Sequence, residues 1–160
     1  MHKEAETAFL RYTQKIAAEY SDLVTYWVVY NEPETPVRHG YLIGDRPPAH
    51  RFRFISALKM IKKIAKVYVA AYETIKSVDP KARIGFSESL VYFEPYKNLF
   101  INRIAMRLFR WWRNNPHYDL YANNCDFIGL QYYFHTRVRI NPFRSRWGIQ
   151  DNENERVSDF

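Results

Sequence analysis

Apolar residues recur at helical spacing in three segments of the chain. The first is residues 4–20, with the apolar positions Ala5, Ala8, Phe9, Tyr12, Ile16 and Tyr20. The second covers about residues 55–78, with the predicted buried stripe Leu58, Ile61, Ile64, Tyr68, Ala71, Tyr72 and Ile75. The third covers about residues 99–113 and stops before Pro116. Each segment is predicted to be an amphipathic helix that buries one face.

Three other segments have the composition of buried strands, at about residues 24–30, 82–86 and 126–134. The first is β-branched and apolar without strict alternation, which is typical of a strand covered on both faces. Residues 33–54 contain four prolines and two glycines and are predicted to form a long loop. The chain after about residue 141 is polar and arginine-rich, which predicts a loop or tail.

Helices and strands therefore alternate along the whole chain. This order predicts an α/β fold in which parallel strands carry helices on the outside. A chain of 160 residues can bury one core, so we predict a single domain over residues 1–160.

The first strand ends abruptly in a motif, because residues 27–33 read Trp-Val-Val-Tyr-Asn-Glu-Pro. Three further stretches follow in order: Gly-Tyr-Leu-Ile-Gly at 40–44 with Pro47-Pro48, Ala-Tyr-Glu-Thr-Ile-Lys at 71–76, and Asp-Phe-Ile-Gly-Leu-Gln-Tyr-Tyr at 126–133. In these stretches the chain resembles glycoside hydrolase family 1, the β-glucosidase and β-galactosidase family. The resemblance extends over about residues 5–160.

The resemblance implies a partial (β/α)₈ TIM barrel of three parallel βα units, matching the fourth to sixth strands of the family. Such a barrel typically needs about 250 residues. The Glu-Asn-Gly sequence that carries the family's nucleophile is not present, and Asn152-Glu153-Asn154 lacks the glycine. We therefore expect an internal fragment of a longer enzyme, truncated at both ends.

The resemblance also assigns the site residues. Glu32 matches the general acid/base and Asn31 the residue that holds the sugar 2-hydroxyl. Tyr133 matches the tyrosine that would position the missing nucleophile. Gln131 stands where the family has asparagine, and its extra methylene puts a sugar contact there in question.

The implied function is hydrolysis of O-glycosidic bonds in β-glucosides or β-galactosides with retention of configuration, while the chain alone is expected to be inactive. The alternative is a non-catalytic protein, either a residual fragment or a binding module completed by another chain. Exposed edges of the incomplete barrel favour self-association or a companion chain.

The remaining carboxylates and histidines carry weaker signals. Glu34, Glu88 and Glu94 are interpreted as solvated loop residues, and His135 follows a strand from which it could reach the pocket. The histidines lack the spacing of metal ligands, so no metal or other cofactor is expected.

A formal net charge of +7 raises nucleic acid as a partner. The basic residues are scattered at helical spacing, however, which indicates solvated helix faces, and we expect no nucleic-acid partner. The single cysteine, Cys125, indicates a reducing compartment, and charges throughout residues 1–20 do not match a signal peptide. The apolar runs are shorter than a membrane span requires, so we expect a cytoplasmic protein without a membrane partner.

Overall fold

The computed structural model describes residues 3–114 and 118–140 of the chain. The predicted polar tail after about residue 141 lies outside this range.

Within these residues the three predicted helices and three predicted strands follow one another in the predicted order, and a fourth, short helix is added after the first strand. The helices are α1 (Lys3–Tyr20), α2 (Glu34–Val37), α3 (Phe54–Val78) and α4 (Phe100–Asn114). The strands are β1 (Tyr26–Asn31), β2 (Arg83–Pro95) and β3 (Phe127–Val138). Short helical turns occupy the connections at Arg38–Ile43, Tyr96–Asn98, Tyr118–Leu120 and Ala122–Asn124.

The strands form one sheet in the order β1-β2-β3, and β1 pairs with β2 in parallel. β3 runs parallel to β2. The Asp126 amide donates to the Ile84 carbonyl at 2.7 Å, and two to three residues further along both strands Gly129 lies beside Ser87. The predicted parallel α/β arrangement is therefore confirmed.

Two compact units divide the chain: Met1–Glu88 with His117–Leu130, and Ser89–Pro116 with Gln131–Phe160. The boundary crosses β2 and β3, so each of these strands contributes residues to both units.

In the first unit, α1 and α3 cover one face of the sheet. Ala17 of α1 and Ile75 of α3 pack on Ile84 of β2, with Trp27 and Val29 of β1 beside them. A second cluster on the same face is aromatic and contains Ala65, Tyr68, Phe86 and Tyr121. On the other face, Tyr26 and Val28 are 68% and 54% exposed. Among the described residues of this unit, helices thus cover one side of the sheet only, as a partial barrel predicts.

The buried stripes of the helices differ in detail from the predicted ones. On α1 the fully buried residue is Ala17, whereas the predicted core residue Tyr12 is 62% exposed. On α3 the predicted Leu58 is exposed and the neighbouring Ala57 is buried. Helical periodicity predicts the existence of an apolar face, but the close approach of α1, α3 and the sheet selects small alanines for the contact itself.

The long loop predicted over residues 33–54 is wrong in its first half. A turn of α-helix, Glu34–Val37, leads directly into a π-helical turn, Arg38–Ile43. Gly40 allows the following chain to approach, because a Cβ at this position would lie 2.7 Å from the Pro47 carbonyl oxygen. Pro47 and Pro48 therefore pack against a compact helical segment.

β2 is much longer than the predicted segment 82–86, since it continues to Pro95. Its residues 84–89 are all buried, as expected for the central strand of the sheet. The polar sequence Ser87-Glu88-Ser89 has no apolar pattern from which sequence reasoning could have extended the strand.

The second unit contains a buried side-chain amide. Asn102 of α4 is 1% exposed, its Nδ2 donates to the Tyr96 carbonyl at 2.7 Å, and its Oδ1 accepts from the Ile140 amide at 2.9 Å. Asn102 thus ties α4 to the turn before it and to the chain leaving β3.

Candidate active site

A register irregularity near the end of β1 decides where the residues of the Asn-Glu-Pro motif point. The pairing with β2 shifts between Val28 and Asn31. Val29 and Tyr30 are consecutive in sequence, yet both pack on the helix-covered side. Because strand residues normally alternate between faces, the extra residue of this bulge returns Asn31 to the face of Val28. Asn31 therefore lies on the side of the sheet that the helices leave open.

The central strand holds both motif residues through Ser87. The Ser87 hydroxyl donates to Asn31 Oδ1 at 2.7 Å. The Ser87 carbonyl accepts the Glu32 amide, also at 2.7 Å. The end of β1 is therefore fixed from β2 by one side-chain and one backbone hydrogen bond.

Glu32 is half-buried and has a left-handed backbone, with φ of 47°. This conformation is uncommon for a non-glycine residue and often marks a functional position. It ends the strand, and the Glu32 carbonyl then accepts the Thr35 amide at 3.0 Å as the first turn of α2 begins. Pro33 is buried at this corner. A short helix therefore begins two residues after Glu32, with Pro33 as its N-cap.

Glu88 contradicts its interpretation as a solvated loop carboxylate, because it is only 2% exposed and lies within β2. Alternation from Ile84 and Phe86 places it on the helix-covered face, away from Asn31. Burial raises the pKa of the Tyr121 hydroxyl, and the charges of Glu34 and Glu88 raise it further. Glu88 thus lies among polar residues on the helix-covered face of the sheet. The interpretation as an exposed loop residue does not predict this position.

Glu34 lies in the first turn of α2 and is half-buried, so it too is not a loop residue. Its charge contributes to the raised pKa of the Tyr121 hydroxyl.

Gln131 and Tyr133 lie on β3 in the second unit, where Tyr133 is 49% exposed. Their roles in substrate binding and in positioning a nucleophile remain predictions.

The interpretation of Glu94 as a solvated loop residue is also wrong, because Glu94 lies on β2 and bridges two side chains of β3 in the second unit. His135 Nε2 lies 3.2 Å from Glu94 Oε2, and the Arg137 guanidinium contacts the other carboxylate oxygen. The hydrogen bond from Arg137 lowers the pKa of Glu94. His135 also packs edge-on against the Tyr92 ring, with 5.0 Å between the ring centroids. His135 therefore takes part in the contacts between β2 and β3.

Residues of two family motifs, 71–76 and 126–133, are in contact at the amino-terminal ends of β2 and β3. Asp126 Oδ2 accepts the Ile84 amide at 2.9 Å and lies 3.0 Å from Lys76 Nζ, while the Tyr72 hydroxyl donates to Oδ1 at 3.3 Å. Partial burial acts to raise the pKa of Asp126, but the Ile84 and Lys76 contacts outweigh it and lower that pKa. Asp126 thus fastens α3 and β2 to the start of β3.

Within residues 3–114 and 118–140, no group of three or more histidine, cysteine, aspartate or glutamate side chains is arranged to hold a metal ion. Among the helices of the described part of the chain, none combines the length and the apolar character needed to cross a bilayer.

The profile of glycosyl hydrolase family 1 matches residues 2–120. The parallel strands with helices packed on one face have the arrangement of part of an α/β barrel. The chain belongs to glycosyl hydrolase family 1.

Individual relatives agree with this assignment. "Beta-glucosidase-like SFR2, chloroplastic" from Oryza sativa subsp. japonica is 25% identical over 79% of this chain and 21% of its own length. Beta-glucosidase A from Thermotoga maritima is 23% identical over 72% of this chain and 26% of its own length. The chain thus spans about a quarter or less of the length of these relatives.

A solved structure of the family 1 β-glucosidase from Thermotoga maritima superposes with a TM-score of 0.73. The match covers 89% of this chain and 38% of that structure at 20% identity. This likeness confirms the predicted fold class, an α/β arrangement matching part of a (β/α)₈ barrel.

Proposed function

We propose that this chain carries the acid/base half of a retaining β-glycosidase site. Glu32 is the general acid/base, Asn31 binds a sugar hydroxyl, and the substrate is a β-linked glucoside or galactoside. The observation that carries the proposal is the position of Glu32. This residue follows the carboxyl end of the parallel strand β1, and its backbone amide donates a hydrogen bond to the Ser87 carbonyl. Active sites of barrel enzymes lie at this edge. Family membership supports the same assignment.

In a retaining glycosidase, one carboxylic acid protonates the departing glycosidic oxygen and later activates water. A second carboxylate, about 5–5.5 Å away, attacks the sugar and forms a covalent intermediate. In this proposal Glu32 performs the first task. Tyr133 would hold the second carboxylate ionised, and Gln131 would stand near the sugar.

The second carboxylate decides what the chain can do alone. The sequence contains no Glu-Asn-Gly motif. General acid catalysis alone contributes about 10²–10⁴-fold, whereas enzymes reach about 10⁶–10¹⁷-fold over the uncatalysed reaction. We therefore propose that the chain alone does not measurably hydrolyse aryl β-glucosides or β-galactosides.

The test is an assay of the purified chain with 4-nitrophenyl β-glucoside, alone and mixed with a polypeptide that supplies the rest of a family 1 barrel. Turnover is expected only in the mixture. Glu32→Gln should abolish that turnover for poorly activated leaving groups, while Glu34→Gln, two residues away, should retain most of it. Turnover by the chain alone that disappears in Glu32→Gln would contradict the proposed inactivity. Turnover in the mixture that survives Glu32→Gln would contradict the acid/base role.

A second candidate function is a non-catalytic binding module completed by another chain. The exposed Tyr26 and Val28 on the helix-free face of the sheet favour it, because large apolar side chains there suit contact with another polypeptide. Complex formation without turnover in the mixing experiment would support this alternative.

A further inference from the structure

Ser87 contacts both residues of the proposed site from a neighbouring strand. Its hydroxyl reaches the Asn31 side chain and its carbonyl reaches the Glu32 amide, each at 2.7 Å. Ser87 is 8% exposed, and it sits on the central strand of the sheet. Its position is therefore fixed by strands on both sides, whereas Asn31 is exposed at a strand end.

Gly129 of β3 leaves room for the Ser87 side chain. A Cβ added at Gly129 would lie 3.1 Å from the Ser87 Cβ, which is tighter than ordinary van der Waals contact. A larger residue at position 129 would press on Ser87. The Ser87 side chain thus has Gly129 of β3 beside its Cβ and the Asn31 amide at its hydroxyl.

We propose that Ser87 is a positioning residue for Asn31, and that its hydroxyl turns the amide so that Nδ2, rather than Oδ1, meets a substrate oxygen. This inference rests on the proposed function, because it assumes that Asn31 binds sugar. An asparagine amide has one accepting and one donating end, and rotation about its last torsion exchanges them. Because Oδ1 accepts the Ser87 hydroxyl, Nδ2 is the end of the amide that would donate to a substrate oxygen.

Fixing the amide in advance also favours binding. An exposed asparagine samples several rotamers, and ordering it on ligand binding costs conformational entropy. A residue whose rotamer is set by the protein has lost that entropy before the substrate arrives. The effect of Ser87 should therefore appear in ligand affinity and only through Asn31.

The test uses two matched substitutions in the full chain, Ser87→Thr and Ser87→Val. Both add a similar β-branched side chain beside Gly129, but only threonine keeps a hydroxyl. In ¹⁵N–¹H NMR spectra, the side-chain amide signals of Asn31 should remain near their wild-type positions in Ser87→Thr and move in Ser87→Val. Asn31 signals that are the same in both variants would overturn the proposal.

Binding of methyl β-D-glucopyranoside, followed by titration in the same spectra, separates positioning from general structure. Ser87→Val should bind this sugar roughly five times more weakly than Ser87→Thr, the effect of one hydrogen bond. The difference should vanish when both substitutions are placed on Asn31→Ala. A difference that persists without Asn31 would overturn the positioning role. If the wild-type chain does not bind the sugar even when mixed with the polypeptide that supplies the rest of the barrel, the proposed function fails, while the amide signals of Asn31 still decide whether Ser87 orients it.

Discussion

At the scale of single residues, the motifs that identify the family serve two separate purposes. Asn31 is the last residue of β1 and Glu32 follows it, at the carboxyl ends of the strands, where the proposed chemistry lies. Asp126 is the first residue of the motif on β3 and lies at the amino-terminal ends of the strands. There it accepts a hydrogen bond from the Ile84 amide and contacts Lys76. The contacts of Asp126 therefore stabilise the fold, whereas Asn31 and Glu32 belong to the proposed site.

Asp126→Asn should destabilise the chain by about 1–3 kcal/mol at pH 6, because the charged hydrogen bond with Lys76 is lost. The pKa of Asp126 is lowered in the folded state. Its stabilisation is therefore complete above the unfolded pKa of about 3.9 and is lost as pH falls through the lower folded-state value. Urea unfolding from pH 6 to pH 3 should show the wild-type advantage shrinking with acidity.

The control is Asp119→Asn, at an exposed position. It should change the free energy of unfolding by no more than about 0.5 kcal/mol at any of these pH values. A constant difference between wild type and Asp126→Asn across the pH range would contradict a role for the ionised carboxylate.

At the scale of elements, small residues determine how closely the helices approach the sheet. Ala17 of α1 is 1% exposed and packs with Ile75 and Ile84, while the adjacent Ala18 is exposed. The same side chain at neighbouring positions therefore meets a packed core in one case and solvent in the other.

Ala17→Leu should destabilise the chain by about 1–3 kcal/mol, because the added methylene groups overpack the contact between α1, α3 and β2. Ala18→Leu has the same helix propensity change and should stay within about 0.5 kcal/mol of wild type. Urea unfolding at low micromolar concentration measures both variants. Equal effects of the two substitutions would show that α1 does not pack on the sheet through Ala17.

The second unit depends on Asn102 in a similar way. Asn102→Ala leaves the Tyr96 carbonyl and the Ile140 amide without the partner they have now. Hydrogen exchange at the Ile140 amide should become faster by roughly tenfold, the effect of about 1.4 kcal/mol of lost hydrogen bonding. Arg103→Ala, at the exposed neighbouring position, should leave this rate unchanged. Unchanged exchange in Asn102→Ala would mean that the contact does not order the end of β3.

At the scale of the whole molecule, β1 and β3 are the outer strands of the sheet. Outer strands present unpaired backbone groups, and β1 also carries the exposed apolar side chains of Tyr26 and Val28. We predict that the purified chain self-associates, which sedimentation velocity at increasing concentration would detect. A monomer at all concentrations, with a cooperative thermal transition above about 60 °C, would contradict this prediction.

Val28→Lys should reduce self-association, because a charge on an edge strand opposes pairing with another chain. Leu23→Lys is the matched control. Leu23 is 75% exposed but lies before β1, so the substitution adds the same charge without altering the edge. Equal effects of the two lysines would indicate that net charge, rather than the edge of β1, governs association.

The sequence by itself determined the order of helices and strands, their parallel arrangement, the family and the candidate residues Asn31 and Glu32. These follow from periodicity and from short motifs, which are local properties of the chain. It could not predict that Ser87, Glu88 and Ser89 continue β2, because their burial comes from neighbours on both sides of a central strand.

Only the tertiary structure decided which way the site residues face. The bulge in β1 places Asn31 opposite the helices, and the hydroxyl of Ser87, distant in sequence, fixes its amide. The same packing puts Glu88 behind the sheet and joins Asp126 to Lys76. Motifs name the residue types that a site requires, but register and contacts between distant segments determine which of those side chains meet.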